Sequence, residues 1–317
     1  MSSEPKAAPP LGTFVEVGGH QLFLDQRGTG SPTVVFLPGA GLTGLDYLPI
    51  HHAVAEATAS IVYDRGGTGW SEQMALPRTA RAVTDELLGL LRSVGADRVL
   101  LVGHSLGGLY ARHFATRFPD AVQGLVLLDP AHEDYDAYMP PELTVQRGAS
   151  RYFDVLGAVV DAALTTGPTR ALLQMVPAIR RYRRIYRELF TQEMADWPAE
   201  LRDVLVERHT SLDWLAGGLR ESRQIDRLYD EVRVAGPMPD LPLVILTSTG
   251  TDGFQDAVSG GGSEQLMQEE ISGRLRLYAD LAATVSGGEV RRVGSGHVTL
   301  PFHHPEAVVA AIRACCA

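Results

Sequence analysis

Two spacings of apolar residues take turns along this chain. Short alternations of apolar and polar positions from Thr13 to Val17 and from Gln21 to Asp25, joined at Gly18-Gly19, predict an opening β-hairpin. Continuous apolar, largely β-branched runs at Thr33 to Leu37, Ile61 to Tyr63, Val99 to Gly103, Gly124 to Leu128 and Leu243 to Thr247 are too short for helices and predict buried strands. Glu289 to Val293 reads as the last strand. Between the strands lie segments with helical spacing. Arg78 to Val94 carries Val83, Leu87, Leu88 and Leu91 on one face and stops at Gly95; a helix from Leu106 ends near Pro119; Glu264 to Thr284 and Pro305 to Ala314 complete the set. Strands alternating with helices predict an α/β architecture around a mostly parallel sheet.

From Ala131 to Ala235 the alternation stops. Helical patterns at Arg147 to Leu164, Arg170 to Met175, Arg180 to Met194, Pro198 to Ala216 and Arg220 to Val232 predict a helical lid inserted after the sixth strand. The expected organisation is a disordered leader over 1–12, a core over 13–130 and 236–317, and the lid over 131–235. Lids of this kind exclude water and shape a pocket. Ser259 to Gly262 is the most flexible-looking loop. The run Arg180-Arg-Tyr-Arg-Arg184 reads first as a solvated helix face, and as recognition of an acidic substrate second.

A chain of 317 residues can bury a sizeable core, and its net charge of -10 argues against a nucleic-acid partner. Cys315 and Cys316, adjacent at the C-terminal end, cannot build a disulfide framework or a four-ligand metal site. No apolar run reaches the ~18 residues of a membrane span, and the first ten residues lack a signal-peptide core. The expectation is a cytoplasmic protein without a metal. His51, His52, His303 and His304 are adjacent pairs rather than metal-spaced sets and read as surface residues.

The chemistry centres on Gly103-His-Ser-Leu-Gly-Gly108. Ser105 falls between a buried strand and a helix in the pattern G-x-S-x-G, a nucleophile elbow that lifts the serine hydroxyl above the sheet. Together with Leu37-Pro-Gly-Ala-Gly41, Tyr63-Asp-Arg-Gly-Gly-Thr-Gly-Trp-Ser71 and Gly294-Ser-Gly-His297, this motif makes the chain resemble the α/β-hydrolase superfamily from about Phe14 to Arg313. The resemblance implies an eight-stranded, mostly parallel sheet flanked by helices, with the lid after the sixth strand. It implies an oxyanion hole from the backbone N–H groups of Ala40 and Leu106, and a triad in the chain order serine, acid, histidine. The superfamily's usual histidine before the first glycine of the oxyanion turn is replaced here by Pro38.

A serine needs a base, and the base needs an acid that fixes its tautomer. His297, on a Gly-rich turn after the last strand, is the candidate base. Asp129 is the first choice of acid, with Asp252 as the alternate. Asp129 ends the sixth strand, where ligand sites of open α/β sheets lie. Asp252 follows the seventh, the superfamily's commonest place, in a loose Gly250-Thr-Asp252 setting. Glu133 and Asp134 are weaker candidates.

The implied function is hydrolysis of a small-molecule carboxylic ester or lactone through an acyl-enzyme on Ser105, without a cofactor. Carbon–carbon bond hydrolysis, perhydrolase activity and acyl transfer use the same groups, and a ligand-binding protein on this scaffold is the alternative of a different class. A serine at the elbow argues against branches whose nucleophile is a carboxylate. A rival reading comes from Gly39-Ala-Gly41-Leu-Thr-Gly44, a G-x-G-x-x-G after a strand with Asp64 about 20 residues on, as in dinucleotide-binding units. Its strand is the third rather than the first, and the resemblance accounts for Asp64 as a residue that braces a loop. Oligomeric state is not legible in the sequence.

Overall fold

Side chains of the strands point alternately to two apolar layers, and that alternation fixes the sheet. The computed structural model describes residues 8–143, 175–221, 223–254, 256 and 263–316. Among them, β1 (Thr13–Val17), β2 (His20–Arg27), β3 (Thr33–Leu37), β4 (Ser60–Tyr63), β5 (Val99–His104), β6 (Val122–Leu128), β7 (Leu243–Ser248) and β8 (Glu289–Val293) form one sheet. Its order is β1-β2-β4-β3-β5-β6-β7-β8. β2 runs antiparallel to β1 and β4, and every other pair is parallel.

On one face Val35, Leu37, Leu101, Leu127 and Ile245 meet the buried sides of α2 (Ala80–Ser93) and α3 (Leu106–Arg117). On the other, Val34, Phe36, Val102, Leu128 and Val244 meet α1 (Leu48–Ala55) and the C-terminal helix Pro305–Cys316. Each such side chain contributes roughly 1.5–3 kcal/mol by leaving water. Parallel register then aligns the carboxyl ends: Leu37 lies beside Gly103, His104 beside Leu128, Leu128 beside Leu246, and Ser248 beside Val293. The loops that leave these ends are gathered along one rim.

Between β6 and β7 the chain forms α4 (Pro177–Glu193), α5 (Ala199–His209), α6 (Leu212–Glu221) and α7 (Ile225–Ala235). After β7 comes α8 (Glu264–Ala282), and after β8 the closing helix α9 (Pro305–Cys316). The continuous pattern expected from Pro198 to Ala216 is broken in two, because the Ser211 hydroxyl accepts the Trp214 N–H at 3.2 Å and starts a new helix. The pattern from Arg220 to Val232 is likewise interrupted at Gln224, whose φ is 56°. The expected helix Arg147 to Leu164, most of the segment Arg170 to Met175, the Ser259 to Gly262 loop and the first seven residues of the leader lie outside the described residues.

In α4, Arg183 donates to the Thr210 carbonyl at 2.6 Å and Arg187 to the Thr210 hydroxyl at 3.0 Å, while Arg180, Arg181 and Arg184 are exposed. Part of the basic run therefore ties α4 to the end of α5. His51 is fully buried rather than at the surface: its Nε2–H donates to Asp25 at 3.1 Å, and its Nδ1 accepts the Ser60 hydroxyl at 2.7 Å. Adjacency in sequence with His52 hid this, since neighbours on a helix face different sides. Among the described residues no helix is long and apolar enough to cross a membrane.

Candidate active site

Ser105 sits at the junction of β5 and α3 with φ 52° and ψ -118°. This left-handed backbone turns the side chain out of the sheet, and it persists only where the surroundings enforce it. The glycines do so. A Cβ on Gly103 would lie 2.6 Å from Gly108 Cα, and one on Gly107 would fall on the Leu37 carbonyl oxygen. The Ser105 backbone is also tied to the next strand: its N–H donates to Leu128 O, and its carbonyl accepts from Ala131 N, both at 2.9 Å.

The hydroxyl of Ser105 lies 3.0 Å from His297 Nε2, and His297 Nδ1 lies 3.3 Å from Asp129 Oδ2. A carboxylate only accepts, so Nδ1 carries the proton and Nε2 is the acceptor for the serine hydroxyl. Asp129, itself at φ 42°, is buried at the end of β6. Its Oδ1 accepts from the Thr247 hydroxyl at 3.0 Å and the Ser248 amide at 3.1 Å. Its Oδ2 accepts from the Ser248 hydroxyl and, at 2.9 Å, from Arg274 Nη1. Burial alone raises the pKa of this carboxyl; the Arg274 guanidinium and the bonds from His297 and Ser248 outweigh it and hold the group well below the usual carboxylate range.

Asp252 has other partners. Its oxygens accept the Phe254 N–H at 2.9 Å and the Val298 N–H at 2.5 Å, so it braces the turn that carries His297. Glu133 receives both terminal nitrogens of Arg112 at 2.8 Å, and Asp134 meets Arg233 at 3.4 Å. His132, Glu133 and Asp134 could in principle gather round a cation, with donor atoms within 4.8 Å of one another. Glu133 is committed to Arg112, however, and His132 Nδ1 accepts the Asp134 amide at 3.1 Å.

Ala40, in the Pro38 to Gly41 turn, borders a small cavity beside Ser105, and Leu106 follows Ser105 as the first residue of α3. Arg65 and Glu221, paired at 2.7 Å and almost wholly buried, hold the turn in place. Arg65 donates to the carbonyls of Pro38 at 2.6 Å and Gly39 at 3.3 Å, and Glu221 accepts the Gly41 N–H at 3.1 Å. A second tie runs through the elbow. Gly39 N–H donates to the Tyr47 oxygen at 3.3 Å, the Tyr47 hydroxyl to His104 Nδ1 at 2.8 Å, and His104 Nε2–H to the His297 carbonyl at 2.9 Å. Burial, with the nearby His297, pushes the His104 imidazole down to about 3, consistent with the neutral tautomer these bonds require.

Asp64 accepts the Gly44 and Trp70 N–H groups, both at 2.7 Å, and is buried. It fastens one glycine-rich loop to another, as the superfamily resemblance implied, and is not presented to a ribose. Two cavities meet at Ser105 and His297. The larger, about 440 Å³, is bounded by Tyr135, Tyr186, Tyr229, Phe254, Glu270 and Arg274; the smaller, about 110 Å³, by Ala40, Leu42, Phe190 and Trp214.

Sequence reasoning passed over Arg274, Thr247, Ser248, Tyr47 and Glu221. For Arg274 a signal existed, because it shares the buried face of α8 with Ile271 and Leu277, three residues to either side. A cation on an apolar stripe requires a partner. Glu221 offered no such signal.

The model of the alpha/beta hydrolase family matches residues 34–311. RutD of Pantoea ananatis, named as a carbamate hydrolase, is 37% identical over 108 residues, 33% of this chain and 39% of that protein. The chain therefore spans about two fifths of that relative's length. Among solved structures, an esterase from Thermogutta terrifontis is 21% identical with a TM-score of 0.57, covering 95% of this chain and 97% of its own. The enol-lactonase of Burkholderia xenovorans is 18% identical with a TM-score of 0.58, covering 96% and 100%. These two likenesses concern the fold, whose strand order and rim of loops are those described above. By the span of the family match and by its architecture, the chain belongs to the alpha/beta hydrolase family.

Proposed function

We propose that this protein hydrolyses a carboxylic ester or lactone of a small molecule through an acyl-enzyme on Ser105. The observation that carries the reading is the unbroken line from the Ser105 hydroxyl through His297 to Asp129, at 3.0 and 3.3 Å, opening onto a cavity. His297 takes the serine proton as Oγ attacks the carbonyl carbon, and the Ala40 and Leu106 amides receive the oxyanion. Collapse expels the leaving alcohol with the proton from His297. A water then attacks the acyl-enzyme with His297 again as base, releasing the acid and restoring Ser105. Asp129 is the triad acid in this scheme and Asp252 the brace of the histidine turn.

The esterase and enol-lactonase named above act on this bond type, which favours esters and lactones among the reactions open to the family. The cavities bear on the substrate as well. The smaller chamber, about 110 Å³, reaches Ser105 and is offered to one side of the scissile carbonyl. The other is accommodated by a chamber of ordinary small-molecule size. The insertion over 131–235 acts as the lid on both, with 13–130 and 236–317 as the catalytic core.

A serine-directed fluorophosphonate is expected to label Ser105 stoichiometrically, and Ser105→Ala to lower turnover of a short-chain ester by ~10⁴-fold or more. Absence of labelling, with ligand-induced thermal stabilisation retained, would make the protein a binder instead.

A further inference from the structure

The triad acid of this chain does not serve the histidine alone. Asp129 Oδ2, the oxygen that faces His297 Nδ1 at 3.3 Å, also accepts from Arg274 Nη1 at 2.9 Å. The Arg274 side chain is 11% exposed and that of Asp129 is 0% exposed. Arg274 is fixed on its other side by Ser248, whose hydroxyl accepts Nη1 at 2.9 Å and whose carbonyl accepts Nη2 at 3.0 Å. Guanidinium and imidazole therefore flank one carboxylate oxygen, within about 6 Å of each other.

The geometry points to Arg274 as a positioning residue that holds Asp129 in line with His297 and offsets, at the same oxygen, part of the carboxylate's charge. The proposal rests on the reading of Ser105 as nucleophile and His297 as base. Its physical content is a balance of two charges. An ionised Asp129 stabilises imidazolium and so favours protonation of His297. A guanidinium on the same oxygen opposes that in part, from up to about 6 Å against 3.3 Å for the carboxylate.

The other ionisable groups facing the array do not reverse the sign of this balance. Glu270, on the same helix as Arg274, is 4.0 Å from its Nε and accepts the Tyr135 hydroxyl at 2.9 Å. The Tyr278 hydroxyl donates to Pro130 O at 3.0 Å, and burial pushes its pKa well up. His104, from the end of β5, is neutral and bonded to the His297 carbonyl. Asp252, from the loop after β7, is bonded to the Val298 amide. Of these only Glu270 is paired with Arg274, and losing that partner leaves a negative charge that acts in the same direction as loss of the guanidinium.

The test follows the rate of Ser105 phosphonylation by a fluorophosphonate from pH 5 to 9, in wild type, Arg274→Met and Arg274→Lys, with folding checked by circular dichroism. This readout needs no knowledge of the natural substrate. Loss of the guanidinium is expected to move the rising limb of the profile up by about one to two pH units, leaving the variant most impaired near pH 6 and least near pH 9. The lysine variant, which keeps the charge, is expected to fall between. Arg274→Gln, closer in shape, serves if the methionine variant does not fold. A limb that stays in place or moves down in folded variants overturns the proposal, because loss of mere structural support lowers rates at all pH values alike. Failure of wild type to be labelled overturns the nucleophile assignment instead, and the two failures are distinguishable.

Discussion

The sheet and the helical insertion are held together by different physics. Within the sheet, Val34, Val35, Phe36, Leu101, Val126 and Ile245 are buried without polar atoms to satisfy, and the energy comes from area removed from water. Where the insertion meets the core, buried charge takes over. Glu221 of α6 pairs with Arg65 at 2.7 Å, and beside that ion pair the His209 Nε2–H of α5 donates a hydrogen bond to Asp46 at 2.7 Å, with both of these side chains 0% exposed. Around these pairs lies an aromatic cluster in which Phe190 stacks on His209 at 4.1 Å. Apolar packing tolerates small slips, whereas a buried ion pair is satisfied in one geometry only. The contact that sets the Pro38 to Gly41 turn is thus specified rather than merely sticky.

The largest effect that separates these regions comes from Glu221→Leu. It strands the buried Arg65 guanidinium and is expected to destabilise the fold by about 4 kcal/mol in denaturant unfolding. The double variant Arg65→Met/Glu221→Leu is expected to regain most of that stability while turnover stays low, since Gly41 N–H and the carbonyls of Pro38 and Gly39 lose their partners. Recovery of both would reduce the pair to a structural tie.

Next comes the contrast of two carboxylates, one held by core strands and one by the turn facing the insertion. Asp129→Asn is expected to lower ester turnover by about 10³-fold, through loss of the tautomer that presents Nε2 to Ser105. Asp252→Asn is expected to lower it about tenfold or less, since an amide oxygen still accepts one of the two backbone amides. Equal losses would return the acid's role to dispute.

A third effect, read on stability alone, comes from two buried histidines near the ends of β5 and β6. His104 is neutral in the fold to about pH 3, and His132 is pushed down to about 4, chiefly by burial with Arg112 adding to it. The unfolded chain protonates both near 6.5, so below that pH it binds more protons than the native state and stability falls as pH falls. Unfolding free energy is expected to drop by about 1.5 kcal/mol per histidine between pH 6.5 and 5. The depressed Asp129 acts with the same sign only below about pH 4, where its stabilisation is lost in turn. A flat profile from pH 7 to 5 would contradict the buried, neutral assignment.

Much of the architecture could be read from spacing. Strands announced themselves as apolar runs between glycines, and Ser105 and His297 stood out because each falls on a Gly-rich turn after a strand. The choice between Asp129 and Asp252 could not be made that way. Both follow core strands, and what separates them is the neighbourhood: Thr247, Ser248 and Arg274 converge on Asp129 from 118 to 145 residues away, while Asp252 finds backbone amides. The helix breaks at Thr210 and Gln224 carry neither glycine nor proline, so periodicity ran through them. The burial of His51 depended on Asp25 and Ser60, which only strand pairing brings together.

The chain of bonds from Gly39 through Tyr47 and His104 to the His297 carbonyl has a practical meaning for anyone wishing to move this site to another scaffold. Turn, elbow and imidazole are not independent modules. A transplant carrying the Pro38 to Gly41 turn and the G-H-S-L-G-G hexapeptide, but not a phenol at the place of Tyr47, would leave His104 free to flip and the recipient's histidine loop without its register. The smallest portable unit includes a tyrosine that never meets the substrate.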